Sequence, residues 1–376
     1  MEYRDLKKQY QVLKADIDAG ITDCCTKAQF IGGAPVKELE QQLAEYCGVK
    51  HCISCANGTD ALQLPLMVWG IGAGDVVFVP DFTYFSSGEV VGAVGATPVF
   101  VDVDPATYNM DPVKLGEAIE KVLSDGKYTP KAVIAVDLFG LPADFDAIRP
   151  ICKKYGLYLL EDGAQGFGGE HHGAKACSFG DISTTSFFPA KPVGCYGDGG
   201  AIFTNNDEWA DLLRSYAVHG KGADKYDNIR IGMNSRLDTV QAAVLKVKLK
   251  AFADYELADI NKVAKLYSEL FEGTNLVLPF IPDDYLSSWA QYTVRLPKSV
   301  DRADLQAKLK EKGIPSMIYY KKPMHKQGAF AGTDSAAADC PVTERLCATV
   351  LSLPLDPYKT KADVALIAAE LKKALG

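Results

Sequence analysis

The sequence predicts an α/β fold: a large domain on a mostly parallel sheet, then a smaller C-terminal α+β domain. Two observations lead there. Short apolar, β-branched runs alternate with longer stretches of helical spacing through the first two-thirds of the chain, the pattern of strands joined by crossover helices. A long helical pattern from Leu237 to Phe271 then ends the alternation, and the last third mixes strands and helices.

The runs Val76–Val79, Pro98–Val103, Ala132–Val136, Tyr158–Leu160 and Ala201–Thr204 are apolar on both faces, as buried parallel strands are. Asp111–Val122 and Asp144–Lys154 carry apolar residues at helical spacing between them. Leu237, Val240, Ala243, Val244, Val247 and Phe252 share one face of the long helix. After it come a strand (Tyr292–Leu296), a capped helix (Asp301–Lys312), a strand (Ile314–Tyr320) and two further helices. No repeat or low-complexity linker interrupts the chain, so closely packed domains are expected at residues 1–250 and 251–376.

Composition narrows the functional classes. A net charge of −8 argues against nucleic acid as a general partner, because phosphate neutralisation needs a basic face. No apolar run is long enough for a membrane span, and the start, Met1 to Lys8, lacks the apolar core of a signal peptide. A cytoplasmic protein is expected. Of ten cysteines, only Cys52 and Cys55 form a Cys-x-x-Cys, beside His51, and no second pair stands at zinc-site spacing. The run His51–Ala56 fits a strand in which cysteine is a small hydrophobe, so no metal site is expected.

Lys191 is the most informative single residue. It follows an apolar stretch, lies among prolines and glycines, and meets no acid until Asp198. Such a lysine is either a solvated loop residue or a desolvated amine with a lowered pKa, able to attack a carbonyl as a Schiff-base nucleophile. Asp162 closes the strand Tyr158–Leu160, at the end where open α/β sheets bind ligands. It is either a helix cap or the carboxylate that keeps a pyridinium nitrogen protonated, as pyridoxal phosphate requires.

Ala56-Asn57-Gly58-Thr59 passes from strand to helix, and free amides at a helix start attract phosphate. The same Asn-Gly pair also makes an ordinary turn. Ser186, five residues before Lys191, is a second hydroxyl for the same phosphate or a plain strand residue. Among Phe82, Tyr84 and Phe85, an aromatic at a strand end can stack on a flat ring or join the core.

Together these pieces resemble the DegT/DnrJ/EryC1/StrS sugar aminotransferases, which are fold type I enzymes of pyridoxal 5′-phosphate. The resemblance rests on Ala-Asn-Gly-Thr-Asp-Ala-Leu (56–62), Glu-Asp-Gly-Ala-Gln (161–165), Ser-Phe-Phe-Pro-Ala-Lys (186–191), Gly-Asp-Gly-Gly (197–200) and Asn-Ser-Arg-Leu-Asp (234–238). It implies that Lys191 holds the cofactor as a Schiff base and that Asp162 pairs with the ring nitrogen. By the same resemblance Gln165 bonds the ring hydroxyl, Tyr84 stacks on the ring, and Gly58, Thr59 and Ser186 hold the phosphate. A homodimer with shared active sites is implied, in which Asn234 reaches the partner's cofactor phosphate and Arg236 the partner's sugar. A lysine at 191, where some members carry histidine and dehydrate sugars, implies transamination from L-glutamate to a UDP-linked keto-sugar.

Within the family the likeness is strongest to the branch that aminates UDP-2-acetamido-2-deoxy-3-oxo-glucuronate for bacterial surface polysaccharides such as the O-antigen. Alternatives are a 4-keto-6-deoxy sugar acceptor, or a regulator that binds pyridoxal phosphate and UDP-sugar without turnover. A carboxylate and diphosphate on the substrate call for cations, and His219, Lys221, Lys225, Arg230 and Arg236 form a basic stretch. Tyr319, Tyr320 and His325 are further candidates for the sugar pocket. Tyr319 departs from that branch, which carries histidine before the second tyrosine.

Overall fold

The computed structural model describes residues 1–224 and 226–375. Two helices, α1 (Leu6–Thr26) and α2 (Ala34–Cys47), precede the strand–helix alternation. Asp5 caps α1 by accepting from Lys8 N at 2.8 Å, and Gly48 closes α2 at φ 71°. The alternation follows: β1 (His51–Cys55), α3 (Gly58–Val68), β2 (Asp75–Pro80), α4 (Ser86–Ala93), β3 (Thr97–Val101), α5 (Pro112–Asp125), β4 (Thr129–Val136), α6 (Phe145–Tyr155) and β5 (Tyr158–Asp162). A small hairpin, β6 (Glu170–His171) with β7 (Ala174–Lys175), then leads to β8 (Ile182–Ser186), β9 (Gly200–Thr204) and α7 (Asp207–Tyr216).

Seven of these strands make one sheet in the order β1-β9-β8-β5-β4-β2-β3, parallel from β8 to β3, with β9 antiparallel to both its neighbours. Both faces are covered, which explains why the strands read as continuous apolar runs. Val77, Val79, Ile134 and Leu160 pack beneath α3 and α4, whereas Val76, Phe78, Val133 and Leu159 pack beneath α5 and α6.

Beyond the sheet lie α8 (Thr239–Ala251), α9 (Leu257–Phe271), β10 (Tyr285–Leu286), β11 (Tyr292–Arg295), α10 (Arg302–Glu311), α11 (Pro341–Thr349), β12 (Val350–Leu353) and α12 (Lys361–Leu375). The long helix expected from Leu237 to Phe271 is interrupted by a π turn at Phe252–Glu256. That turn buries both Phe252 and Glu256, and the Glu256 carboxylate accepts from Gln9 Nε2 at 3.0 Å and from the Tyr358 hydroxyl at 2.5 Å. A second core gathers α9, α10, α12 and the β11–β12 pair, around Tyr267, Tyr292, Leu351 and Ile367. Residues 324–350 return to the first core, where Met324, Phe330 and Leu346 lie.

The strand expected at Ile314–Tyr320 does not form. Only Met317 bridges to β12, at Ser352. Pro315 removes a ladder donor, and the chain instead bends to bring Tyr320 against Gln165. Among the described residues no helix is long and apolar enough to cross a membrane.

Ile134 is fully buried at the centre of the sheet. Ile134→Ala is expected to cost about 2–5 kcal/mol, read as a lower urea midpoint with an unchanged denaturant slope.

Candidate active site

The carboxyl ends of β1, β2, β4, β5 and β8 open on one edge of the sheet, and the loops leaving them converge there. Sequence-distant residues meet because parallel strands stack their ends. β5 delivers Asp162, which is 5% exposed. Ser87, on the first turn of α4 beyond β2, donates to Asp162 Oδ2 at 2.8 Å, and Ala164 N donates to Oδ1 at 3.2 Å. Burial raises the Asp162 pKa; the Ser87 bond and the charge of Lys191 oppose that rise.

Lys191 sits beyond β8 in a turn closed by its own N–H to Phe188 O at 2.8 Å. Desolvation lowers the pKa of its amine, and the nearby Asp162 partly restores it. Among the described residues no carboxylate forms a salt bridge with this amine. It is therefore held partly desolvated and free to react, rather than pinned as a structural ion pair.

Gln165 Oε1 accepts from Phe139 N at 3.0 Å, and its Nε2 donates to the Tyr320 hydroxyl at 3.1 Å. Tyr320 thus reaches the sheet edge from the C-terminal part of the chain. Tyr84 leaves β2 with an exposed ring, 6.4 Å from that of Tyr320 and tilted 44°. Tyr319 faces Tyr3 edge-on at 6.4 Å.

The phosphate-binding expectation falls on the β1–α3 elbow. Asn57 caps α3 by accepting from Asp60 N at 2.8 Å, which leaves the preceding amides of Gly58 and Thr59 directed outward from the helix start. A Cβ on Gly58 would lie 2.6 Å from Ser186 Cβ, so only glycine lets the two loops touch. Thr59 Oγ1 lies 2.9 Å from Ser86 Oγ, within the same hydroxyl-rich pocket. Amides at a helix start, three hydroxyls, a desolvated lysine and a buried carboxylate are the donor set that pyridoxal phosphate needs, so these residues fit that cofactor.

Asn234 and Arg236 are both exposed. Buried Ser235 between them accepts from Ala56 N at 3.1 Å, fixing this loop against the elbow. Asn234 does not cap the long helix, which starts at Thr239 behind Asp238. His325 departs from the sequence expectation. It is not on a pocket rim but 5% exposed, with Nδ1 2.6 Å from Asp81 Oδ2, because Asp81 at the end of β2 needs a buried partner. Arg230 is also engaged: it donates to Ser215 Oγ at 2.5 Å and lies 5.5 Å from the Tyr216 ring. Lys225 lies outside the described residues.

Sequence reading passed over Ser87 and the carboxyl pair Asp137 and Glu161 behind Asp162. Ser87 follows the aromatic residues beyond β2, yet only the fold shows that it touches Asp162. Ser87→Ala removes a donor to a buried charge, a loss of about 1.5–3 kcal/mol. The expected result is a pyridoxal phosphate dissociation constant raised by roughly 10–100-fold. Because the lost bond lowers the Asp162 pKa, the acid limb of cofactor binding should also move to higher pH, read by titrating binding against pH.

The profile of the DegT/DnrJ/EryC1/StrS aminotransferase family matches residues 11–372. The chain is 46% identical over 373 residues to the UDP-2-acetamido-2-deoxy-3-oxo-D-glucuronate aminotransferase of Pseudomonas aeruginosa, covering 99% of each. Its structure resembles a DegT DnrJ EryC1 StrS aminotransferase from Brucella abortus, with TM-score 0.97, 46% identity and complete coverage of both chains. It also resembles NtdA from Bacillus subtilis with bound cofactor PMP, with TM-score 0.86, 29% identity, and 96% and 82% of the two chains covered.

Proposed function

Because the chain belongs to the DegT/DnrJ/EryC1/StrS aminotransferase family, we propose that it transfers an amino group from L-glutamate to UDP-2-acetamido-2-deoxy-3-oxo-D-glucuronate, in bacterial surface-polysaccharide synthesis. The reaction class is that of a sugar aminotransferase, and the cofactor is pyridoxal phosphate. The full-length likeness to the Pseudomonas aeruginosa enzyme carries the substrate reading.

When bound, pyridoxal phosphate supplies an electron sink for negative charge that develops on a substrate carbon. The chain's own residues do the rest. Asp162, whose charged form Ser87 and Lys191 favour against the effect of burial, holds a proton on the ring nitrogen. Gln165, fixed by Phe139 N, presents its amide to the ring hydroxyl. Gly58, Thr59 and Ser186 bind the phosphate. The lowered pKa of Lys191 keeps more of its amine neutral near pH 7. Its Nζ takes the proton from the carbon bearing the donor's amino group, and later returns one to the sugar carbon that receives nitrogen.

The acting form in this reading is a homodimer in the cytoplasm. Phe30, Ile31, Ile229 and Ile231 are exposed apolar residues. Phe30 O accepts from Thr239 N, and Ile31 bridges to Asp238, so the first two adjoin the segment bearing Asn234 and Arg236. A partner covering that face would receive Asn234 at its cofactor phosphate and Arg236 at its sugar carboxylate, through a bidentate fork. All ten cysteines are free, as suits a reducing compartment.

The test is a screen of UDP-3-oxo and UDP-4-keto acceptors with L-glutamate, followed by product mass. Nitrogen should enter only the 3-oxo uronate. Gain by 4-keto sugars alone would sink the substrate assignment, and no gain by any acceptor would favour a binding regulator. Lys191→Ala should lower amination by about 10²–10⁴-fold and remove the glutamate-sensitive visible absorption band. Arg236→Lys should raise KM for the uronate more than it lowers kcat.

A further inference from the structure

A second cluster of reactive side chains lies on the hairpin of β6 and β7, apart from the catalytic residues. We propose that His171, His172 and Asp146 bind one divalent transition cation, for which zinc is the representative.

The donor geometry carries the proposal. Asp146 Oδ2 lies 3.7 Å from His171 Nε2 and 3.3 Å from His172 Nε2, and one donor atom from each of the three residues lies within 4.8 Å of the others. Ligands at about 2.0–2.1 Å from zinc, set at tetrahedral angles, stand about 3.3–3.4 Å apart. The two oxygen–nitrogen separations are thus already close to the edge of a coordination tetrahedron. The fourth corner opens to water.

The backbone explains why two adjacent histidines converge. Neighbouring residues of a strand point to opposite faces. Here His172 takes φ 49° and Gly173 φ 77°, a tight turn with both central residues left-handed. That turn swings His172 alongside His171, with ring centroids 4.2 Å apart and planes inclined 31°. A non-glycine residue pays strain to hold this conformation.

One ligand is rigid and two can adjust. His171 is buried, paired to Tyr285 of β10 and stacked on its ring at 3.9 Å and 21°. Asp146 stands in the first turn of α6, whose start is capped by Asp144 accepting from Ala147 N at 3.0 Å. Both His172 and Asp146 have largely exposed side chains, so small rotations can bring the lone pairs to a common point. Asp284 Oδ2 lies 4.0 Å from His172 Nδ1, on the far side of that ring. A short rotation would let Asp284 accept the Nδ1 proton and leave Nε2 free to coordinate.

Two imidazoles and one carboxylate, without thiolate, select a borderline cation such as Zn²⁺, Co²⁺ or Ni²⁺ over Ca²⁺ or Mg²⁺. The ion would join α6, the hairpin and the approach to β10. Just beyond, Ser288 Oγ donates to Gln165 O at 2.9 Å and Ser288 N donates to Gly140 O at 2.9 Å. Its role is thus a structural clip beside the cofactor-binding edge. Sequence spacing gave no sign of it, because Asp146 lies a strand and a loop away from the histidine pair.

Tag-free protein loaded with pyridoxal phosphate and stripped of metals is titrated with Zn²⁺ by calorimetry. A single saturable site per chain is expected, with a higher melting temperature in Zn²⁺ that EDTA reverses. His172→Ala and Asp146→Asn should each abolish that site, and Asp284→Asn should weaken it by about 10–100-fold. All three residues are exposed, so the metal-free variants should melt like the parent. Absence of saturable binding overturns the proposal, as does binding undiminished in His172→Ala. A thiolate charge-transfer band with Co²⁺ would place the ion at cysteines and overturn it equally.

Discussion

A carboxylate removed from water must find donors or an opposite charge, and the edge of this sheet is organised around that demand at Asp162. A strand, a helix start and a turn meet there: β5 supplies the acid, the first turn of α4 supplies Ser87, and the turn beyond β8 supplies the amine of Lys191. Each group solves the other's problem. Asp162 would be driven to protonate without its partners, and the Lys191 amine would lose its charge further without Asp162. The same desolvation that makes both groups costly makes both useful, because charge interactions strengthen where water is excluded.

Much of the seven-stranded sheet was legible because burial on both faces writes itself as continuous apolar runs. Val76–Val79 and Ala132–Val136 fall inside β2 and β4 for that reason. Polar strands were harder to see: Ile182–Ser186 reads Ile-Ser-Thr-Thr-Ser, yet it is β8, whose hydroxyls bond inside the sheet. Thr184 Oγ1 donates to Glu161 O at 3.0 Å, and Thr185 Oγ1 donates to Gly163 O at 3.1 Å. Tertiary contact, not local propensity, decides such a strand. Tyr319 and Tyr320 read as a strand by composition, but Tyr320 is held by Gln165, far away in sequence. Among the site residues, Lys191, Asp162 and Gly58 stand in local contexts unusual enough to notice. Ser87, one serine among several, does not; His325 was read as a pocket residue because its buried partner Asp81 lies far upstream.

The carboxyl groups behind Asp162 show how the charge stays where the chemistry needs it. Asp137, Glu161 and Asp162 cluster at the ends of β4 and β5, and three like charges out of water cannot all persist. Donors divide them unequally. Glu161 accepts from the amides of Cys177, Phe179 and Gly180 and from the Ser183 hydroxyl. Among the described residues Asp137 accepts only from Ala143 N, at Oδ1, while its Oδ2 has no partner. The proton therefore belongs on Asp137, whose pKa burial and Glu161 push well above the usual carboxylate range. A neutral Asp137 also eases the burial of Oδ2, which meets no donor. Gly166 is required by the same arrangement, since a Cβ there would lie 2.3 Å from Asp137 Oδ2. Gly166, next to Gln165, is thus partly explained by a neutral acid behind the site, which lets the sheet edge carry three carboxyl groups without three charges.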